Sequence, residues 1–267
     1  MGVNFCRSRP IAVLIAAVQE LVWPAESDAL MPYDIIFSVK PSAKFKKSFY
    51  RFNPIYVAAK RYYHLWYYQS RVWEQTTWMG VHTLKSPMDM WNYQEILVSL
   101  QPSIIIEFGT NQGGSALFFS SVMQQIGRRY VIVSVDIAAS GISERTKSDP
   151  NIRLLTMSSS SPEARKFIQD LRHNFPGPAF AILDSDHSKE HVLAEMVSLR
   201  DILVTGDYVI VEDSNINGHP VLSSFGPGPY EAVQEYFRMY PRDYEHDFER
   251  EQKFGFSFAP NGFLRRL

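Results

Sequence analysis

The chain holds a single cysteine, Cys6, among its 267 residues. An internal disulfide framework and a cysteine-based zinc site are both excluded, and a reducing, cytoplasmic setting is expected. No charge of one sign dominates. Lys and Arg number 27 against 28 Asp and Glu, a formal net charge of −1, which argues against a globally basic nucleic-acid binder. Long apolar runs are also missing. The early run at residues 11–18 is far short of the roughly 20 apolar residues of a spanning helix. Gln19 and Glu20 interrupt it, and no clean small-residue cleavage site follows, so it does not read as a secretory signal. What is present is an ordinary globular balance, 45% hydrophobic and 21% charged, with 14% aromatic residues as its one unusual figure.

Met31 opens a segment, MPYDIIFSVK, that reads as a normal protein start. Residues 1–30 are therefore expected to be an N-terminal extension and residues 31–86 an arm. Within 44–73 the arm interleaves basic and aromatic residues, KFKKSFYRF and then KRYYHLWYYQSR. The expected form is an amphipathic helical arm packing its rings on the main domain or on a second subunit. A membrane or lipid-substrate surface and a nucleic-acid stacking surface are the alternatives.

Regular patterning begins at Pro87. Met88, Trp91, Ile96, Leu97 and Leu100 recur at helical spacing behind Ser86, a plausible N-cap, and Pro87. Apolar runs at 103–108, 130–137, 151–157, 179–183 and 208–211 then alternate with helical stretches at 114–126, 162–175 and 189–203. The runs read as strands buried on both faces, and the alternation as a parallel sheet doubly wound by helices. Residues 255–259 and 262–267 flank a Pro260–Asn261 turn and read as a closing antiparallel hairpin. This α/β plan, mostly parallel with an antiparallel C-terminal hairpin, is that of the Rossmann-like class I methyltransferases. It places the main domain at 87–267.

Two groups of polar residues fall at the carboxyl ends of these strands, where open α/β sheets bind ligands. The first is EFGTNQGGS, residues 107–115. Gly109 permits a sharp exit from the strand, and Gly113 and Gly114 open the next helix at close approach to a ligand. The spacing matches neither a dinucleotide fingerprint nor a phosphate loop. An acid at the strand end, Glu107, suits the ammonium of an amino-acid-like ligand. With Thr110 and Ser115 in the loop, Asp136 for ribose hydroxyls and Ser159 in the adenine-side loop 158–160, the set favours S-adenosylmethionine. The second group is Asp184, Asp186 and His187 with Glu212 and Asp213. Converging carboxylates repel and raise one another's pKa unless a cation joins them. An all-oxygen set suits Mg²⁺, Mn²⁺ or Ca²⁺. His187 is read as a metal neighbour, a base or a structural residue. Lys189 follows closely enough to reach the same site.

TTWMGVHTLKSPMDMWNYQEIL, IIIEFGTNQGGSALFF, LDSDHSKEHV, GDYVIVEDSNINGHP and FGFSFAPNGFLRRL occur in that order. Together, over roughly residues 74–267, they resemble the cephalosporin hydroxylase family, which includes rhamnosyl O-methyltransferases acting on glycolipids and glycosylated polyketides. The resemblance implies a class I methyltransferase fold, S-adenosylmethionine as donor and a Mg²⁺ site. It implies Glu212 and Asp213 as metal ligands, with a first ligand that is Asp186 or, alternatively, Asp184; the spacing of Asp186 to Glu212 resembles that in metal-dependent catechol-type methyltransferases. Lys189 or His187 would remove the acceptor's proton. The acceptor would be a glycosylated small molecule or lipid, framed by Trp78, Met79, His82, Lys85 and the glycine- and proline-rich loop 215–229. A homo-oligomer and a peripheral membrane contact are expected; a nucleic-acid partner is not. A cephalosporin-type hydroxylation component and a non-enzymatic binding module are the competing classes.

Overall fold

The computed structural model describes residues 54–267, and these form one compact unit. The expectations for residues 1–30 and for the first part of the arm lie outside the described residues. The five apolar runs become the parallel strands: β3 (Ile104–Phe108), β4 (Val131–Asp136), β5 (Ile152–Thr156), β6 (Ala179–Leu183) and β7 (Tyr208–Val211). Every residue of β3, β6 and β7 is buried, as continuous apolar runs covered on both faces require.

The crossover helices α2 (Pro87–Leu100), α3 (Gly114–Ile126), α5 (Pro162–Asn174) and α6 (Lys189–Leu199) lie where the periodicity put them. Two apolar layers result. One sets Ile104, Ile106 and Val133 against Ile168, Met196 and Tyr236. The other sets Ile105, Ile132 and Phe180 against Tyr93, Leu97 and Phe119. Alternate residues of one strand thus feed opposite cores.

The seven-stranded sheet runs β5-β4-β3-β6-β7-β9-β8, with β8 (Tyr244–His246) and β9 (Phe263–Arg266) antiparallel. Chain order reverses between β3 and β6, so the switch point lies beside Phe108 and Leu183. Here the expected hairpin needs correction. The turn at 260–261 exists, closed by Gly262 N–H donating to the Ala259 carbonyl at 2.9 Å. The strand beside β9 is β8, which follows α7 (Pro229–Met239) and is joined to β9 through α8 (Phe248–Glu251). Residues 255–259 make no strand because their rings are used elsewhere.

Phe256 and Phe258 pack against α1 (Pro54–Gln69) and the following 3₁₀ turn Val72–Gln75. His64 stacks on Phe256 at 4.5 Å, and Asn215 Nδ2 donates to its Nε2 at 2.9 Å. Burial lowers the His64 pKa to about 4, so the ring is neutral and can accept that bond. The arm helix is thus fastened to the main domain by a buried polar contact as well as by rings. A short hairpin, β1 (Thr77–Trp78) with β2 (Val81–His82), and the one-turn α4 (Glu144–Lys147) complete the described elements. Among the described residues, no helix is long and apolar enough to cross a membrane.

Candidate active site

A cavity of about 630 Å³ opens over the switch point, at the carboxyl ends of the parallel strands. The loop after β3 forms one wall. Gly109 is at φ +94°, and a Cβ there would stand 1.9 Å from the Asp184 carbonyl. Only glycine lets the ends of β3 and β6 close up so far. Gly114 plays a similar part at the start of α3, where a Cβ would meet the His82 carbonyl at 2.2 Å. Gly109, Thr110, Ser115, Asp136 and Ser159 all line the cavity. Asp136 Oδ2 accepts the N–H groups of Thr110 and Asn111 at 2.8 and 2.9 Å. It therefore holds the loop, while Oδ1, which accepts the Ala138 N–H at 3.0 Å, keeps a lone pair for a further donor.

Glu107 and Gly113 stand differently. Gly113 packs on Thr146 of α4, away from the cavity lining. Glu107 is only 1% exposed and lies beneath the loop. Its two oxygens accept from Ser115 Oγ and Ser134 Oγ, and Thr110 Oγ1 bonds Ser134 Oγ at 2.7 Å. Burial pushes its pKa up to about 7, opposed by these hydroxyls and by Lys85. The carboxyl is a buried anchor under the loop, with no surface on the cavity.

A pH dependence of stability follows. The folded pKa of Glu107 lies above the ordinary 4.5, so the unfolded chain ionises first as pH rises. Its contribution is intact below about pH 4.5 and lost as pH climbs to about 7, a change on the order of 3 kcal/mol. Denaturant unfolding across that range should show Glu107→Gln with a correspondingly shallower fall than wild type; parallel curves would remove this assignment.

The second wall carries the acids. Asp184 follows β6, and Glu212 and Asp213 follow β7. Asp184, His187 and Asp213 present ligand atoms all within 4.8 Å of one another. His187 Nε2 lies 3.3 Å from Asp213 Oδ2. Asp213 is held at φ +49°, and Leu84 and Leu222 on the same cavity are also at positive φ. Strained backbone of this kind gathers where geometry is fixed for function.

Glu212 is buried behind this trio. Tyr93 donates to its Oε1 at 2.6 Å, and Lys85 Nζ lies 3.2 Å from the same oxygen while also bonding Asp184. Burial opposes charge on Lys85, but Asp184 and Glu212 outweigh it and hold its pKa above the ordinary value. Burial pushes Glu212 up to about 8 and Asp89 to about 6. One ammonium therefore faces Asp89, Asp184, Glu212 and Asp213. That deficit of positive charge, beside two cavity-facing carboxylates and an imidazole, fits a divalent cation.

The remaining expected residues divide. Asp186 lines the cavity but stands outside the trio, its Oδ1 accepting from the Ser188 N–H at 2.7 Å. Lys189 is turned away, 3.7 Å from Glu235 on α7, and does not line the cavity. His82 lines it, whereas Trp78 packs on Phe118 and donates to Ser121 Oγ. Met79 projects outward, 61% exposed. Lys85 lies under the acids instead of framing an acceptor. Tyr68 and Trp73 reach the cavity from the arm, and Ile216, Leu222 and Phe225 from the loop after β7. Sequence reading missed Tyr93 altogether; its helical spacing marked only an apolar face of α2.

The strand order, the glycine loop at the switch point and the acids opposite it define the class I methyltransferase fold. A family model described as Rhamnosyl O-methyltransferase/CmcI matches residues 70–267. A rhamnosyl O-methyltransferase of Mycobacterium bovis is 55% identical over 204 residues, 76% of this chain and 83% of the relative. That of Mycobacterium leprae is also 55% identical over 204 residues, covering 89% of the relative. The chain belongs to the rhamnosyl O-methyltransferase/CmcI family. Among solved structures, cmcI with Mg and SAM aligns with a TM-score of 0.59 at 22% identity, over 73% of this chain and 77% of that one, a likeness of fold.

Proposed function

We propose that this chain is an O-methyltransferase that uses S-adenosylmethionine and a divalent cation, Mg²⁺ foremost, to methylate a sugar hydroxyl of a rhamnosyl-like glycoside. The observation that carries this reading is the meeting, in one cavity, of the glycine loop and Asp136 with Asp184, His187 and Asp213. Thr110, Ser115 and Asp136 hold the amino-acid and ribose parts of the donor, and Ser159 faces the adenine. Asp184 and Asp213 hold the cation, with Glu212 behind them fixed by Tyr93 and Lys85. Bound there, the cation lowers the pKa of a coordinated hydroxyl. The sulfonium of the donor supplies an already activated methyl, so the protein's task is orientation and exclusion of water.

His187 takes the hydroxyl proton. It is the cavity-lining imidazole beside the carboxylate pair, and Asp213 steadies its ring. Lys189, held by Glu235, has no part in that step. Tyr68, Trp73, Ile216, Leu222 and Phe225 give the outer cavity an apolar and aromatic lining, suited to a sugar face and the aglycone next to it. Tyr62, Tyr63 and Trp66 stand exposed on α1 beside Lys60 and Arg61. That face suits contact with a lipid surface and so a glycolipid acceptor.

The test is incubation with S-adenosylmethionine and an alkyl α-L-rhamnoside, with Mg²⁺ or with EDTA, read by mass spectrometry. Transfer of one methyl to the sugar only when Mg²⁺ is present is the expected result. Donor binding without transfer to any glycoside would remove the sugar as acceptor while keeping the methyltransferase.

A further inference from the structure

Beside the acids on the same cavity, a carboxylate that never reaches the cavity organises three side chains that do. Glu195 of α6 is fully buried. Its Oε1 accepts from Ser159 Oγ and from Ser185 Oγ, each at 2.5 Å, and lies 3.2 Å from His191 Nε2. His191 Nε2 is also 3.0 Å from Ser159 Oγ. Ser159, Ser185 and His191 line the cavity, whereas Glu195 does not, and its Oε2 has no partner. A wholly buried carboxylate with an orphan oxygen is costly. The fold keeps one here, tied to the cavity wall by three donors.

The chemistry of those donors follows from proton counting. A serine hydroxyl has one proton and two lone pairs. A carboxylate can only accept, so Ser159 and Ser185 each commit that single proton to Glu195. What remains on both hydroxyls for a ligand is lone pairs. His191 reinforces the polarity. Its hydrogen bond to Glu195, the largest effect on it, raises the pKa of the ring, and the Nε2–H is directed at Glu195 Oε1 and Ser159 Oγ. The wall therefore accepts hydrogen bonds and does not donate them from its hydroxyls.

We infer that Glu195 is a positioning residue for purine recognition: by fixing the protons of Ser159 and Ser185 it makes this wall accept from the 6-amino group of adenine and reject a 6-oxo purine. The inference rests on the donor being S-adenosylmethionine. Ser159 is one strand beyond Asp136 on the sheet edge, which is where the base lies if the ribose is at Asp136. An adenine 6-amino group donates and a hypoxanthine 6-oxo group accepts. Against a wall of acceptors, only the former is satisfied.

Calorimetric titration of the full chain with S-adenosylhomocysteine and with S-inosylhomocysteine tests this. Wild type should prefer the adenosyl ligand by at least about 20-fold, since a mismatched buried acceptor pair costs on the order of a hydrogen bond and its desolvation. Glu195→Gln can donate back to the serines and free their protons. It should shrink the preference to less than about fivefold, weakening the adenosyl ligand and improving the inosyl one. The double change Ser159→Ala with Ser185→Ala, which leaves Glu195 in place, should also erase the preference and serves if Glu195→Gln unfolds in a melting control. Equal wild-type affinity for both ligands overturns the inference, as does an equal loss for both in the variants. Failure of folded wild type to bind S-adenosylhomocysteine at all overturns the donor reading and this inference with it.

Discussion

Asp184→Asn lowers methyl transfer by about a thousandfold, while Asp186→Asn stays within about threefold of wild type. Both carboxylates follow β6 and differ in sequence by two positions, but only one enters the trio with His187 and Asp213. Asp186 uses Oδ1 to hold the Ser188 N–H at the entry to α6. Hydrogen bonds to Ser188 lower its pKa, as for an acid occupied by its own turn. Loss of a charged ligand to a catalytic cation forfeits several kcal/mol of transition-state stabilisation, and about 4 kcal/mol is a thousandfold in rate. Asn at 184 keeps the shape and can still accept from Lys85, so the fold should survive. Steady-state rates at saturating S-adenosylmethionine over a Mg²⁺ series separate the two variants. The reverse ranking would return the first-ligand role to Asp186.

The difference between those two aspartates shows what a sequence can and cannot display. Strands β3, β4, β6 and β7 were legible because strands buried on both faces must be continuously apolar; β5, a half-buried edge strand, was legible only through its Ile and Leu residues. Strand β8 was not: Tyr-Glu-His is three residues at a sheet edge, with no apolar run to mark it. The segment 255–259 looked like a strand because its phenylalanines alternate. In the fold those rings meet His64 and Tyr67 of α1, a contact separated by most of the chain.

The site divides along the same line. The acids, the glycine loop and Ser159 were legible because strand ends in such a sheet converge on one edge. Their partners were not. Lys85 reaches Asp184 across 99 positions, Tyr93 reaches Glu212 across 119, and Ser159 reaches Glu195 across 36. Such pairs carry no local signal. Glu107 illustrates the other failure. Its place at a strand end was legible, but the neighbouring hydroxyls of Ser115 and Ser134 that turn it inward were visible only in three dimensions.

Lys85→Met is expected to destabilise the metal-free protein by about 3–5 kcal/mol, because it removes one member of a buried ionic group and leaves the others unpaired. Lys85 is 4% exposed and is the ammonium that contacts both Asp184 and Glu212. Met preserves much of the side-chain length, so the loss is one of charge rather than of volume. The variant should also respond more strongly to Mg²⁺. In wild type part of the carboxylate charge is already balanced by Lys85; without it, a divalent ion at Asp184 and Asp213 gains more by binding. A ligand that prefers the folded state stabilises it by RT ln(1 + [L]/Kd). Millimolar Mg²⁺ should therefore raise the melting temperature of Lys85→Met by more than it raises that of wild type, and narrow the gap between them. Equal shifts would mean that Lys85 and the ion do not share the same carboxylates. An unchanged stability without metal would mean that Asp184 and Glu212 shed their charge by taking up protons, and that Lys85 fills space under the site instead of balancing it.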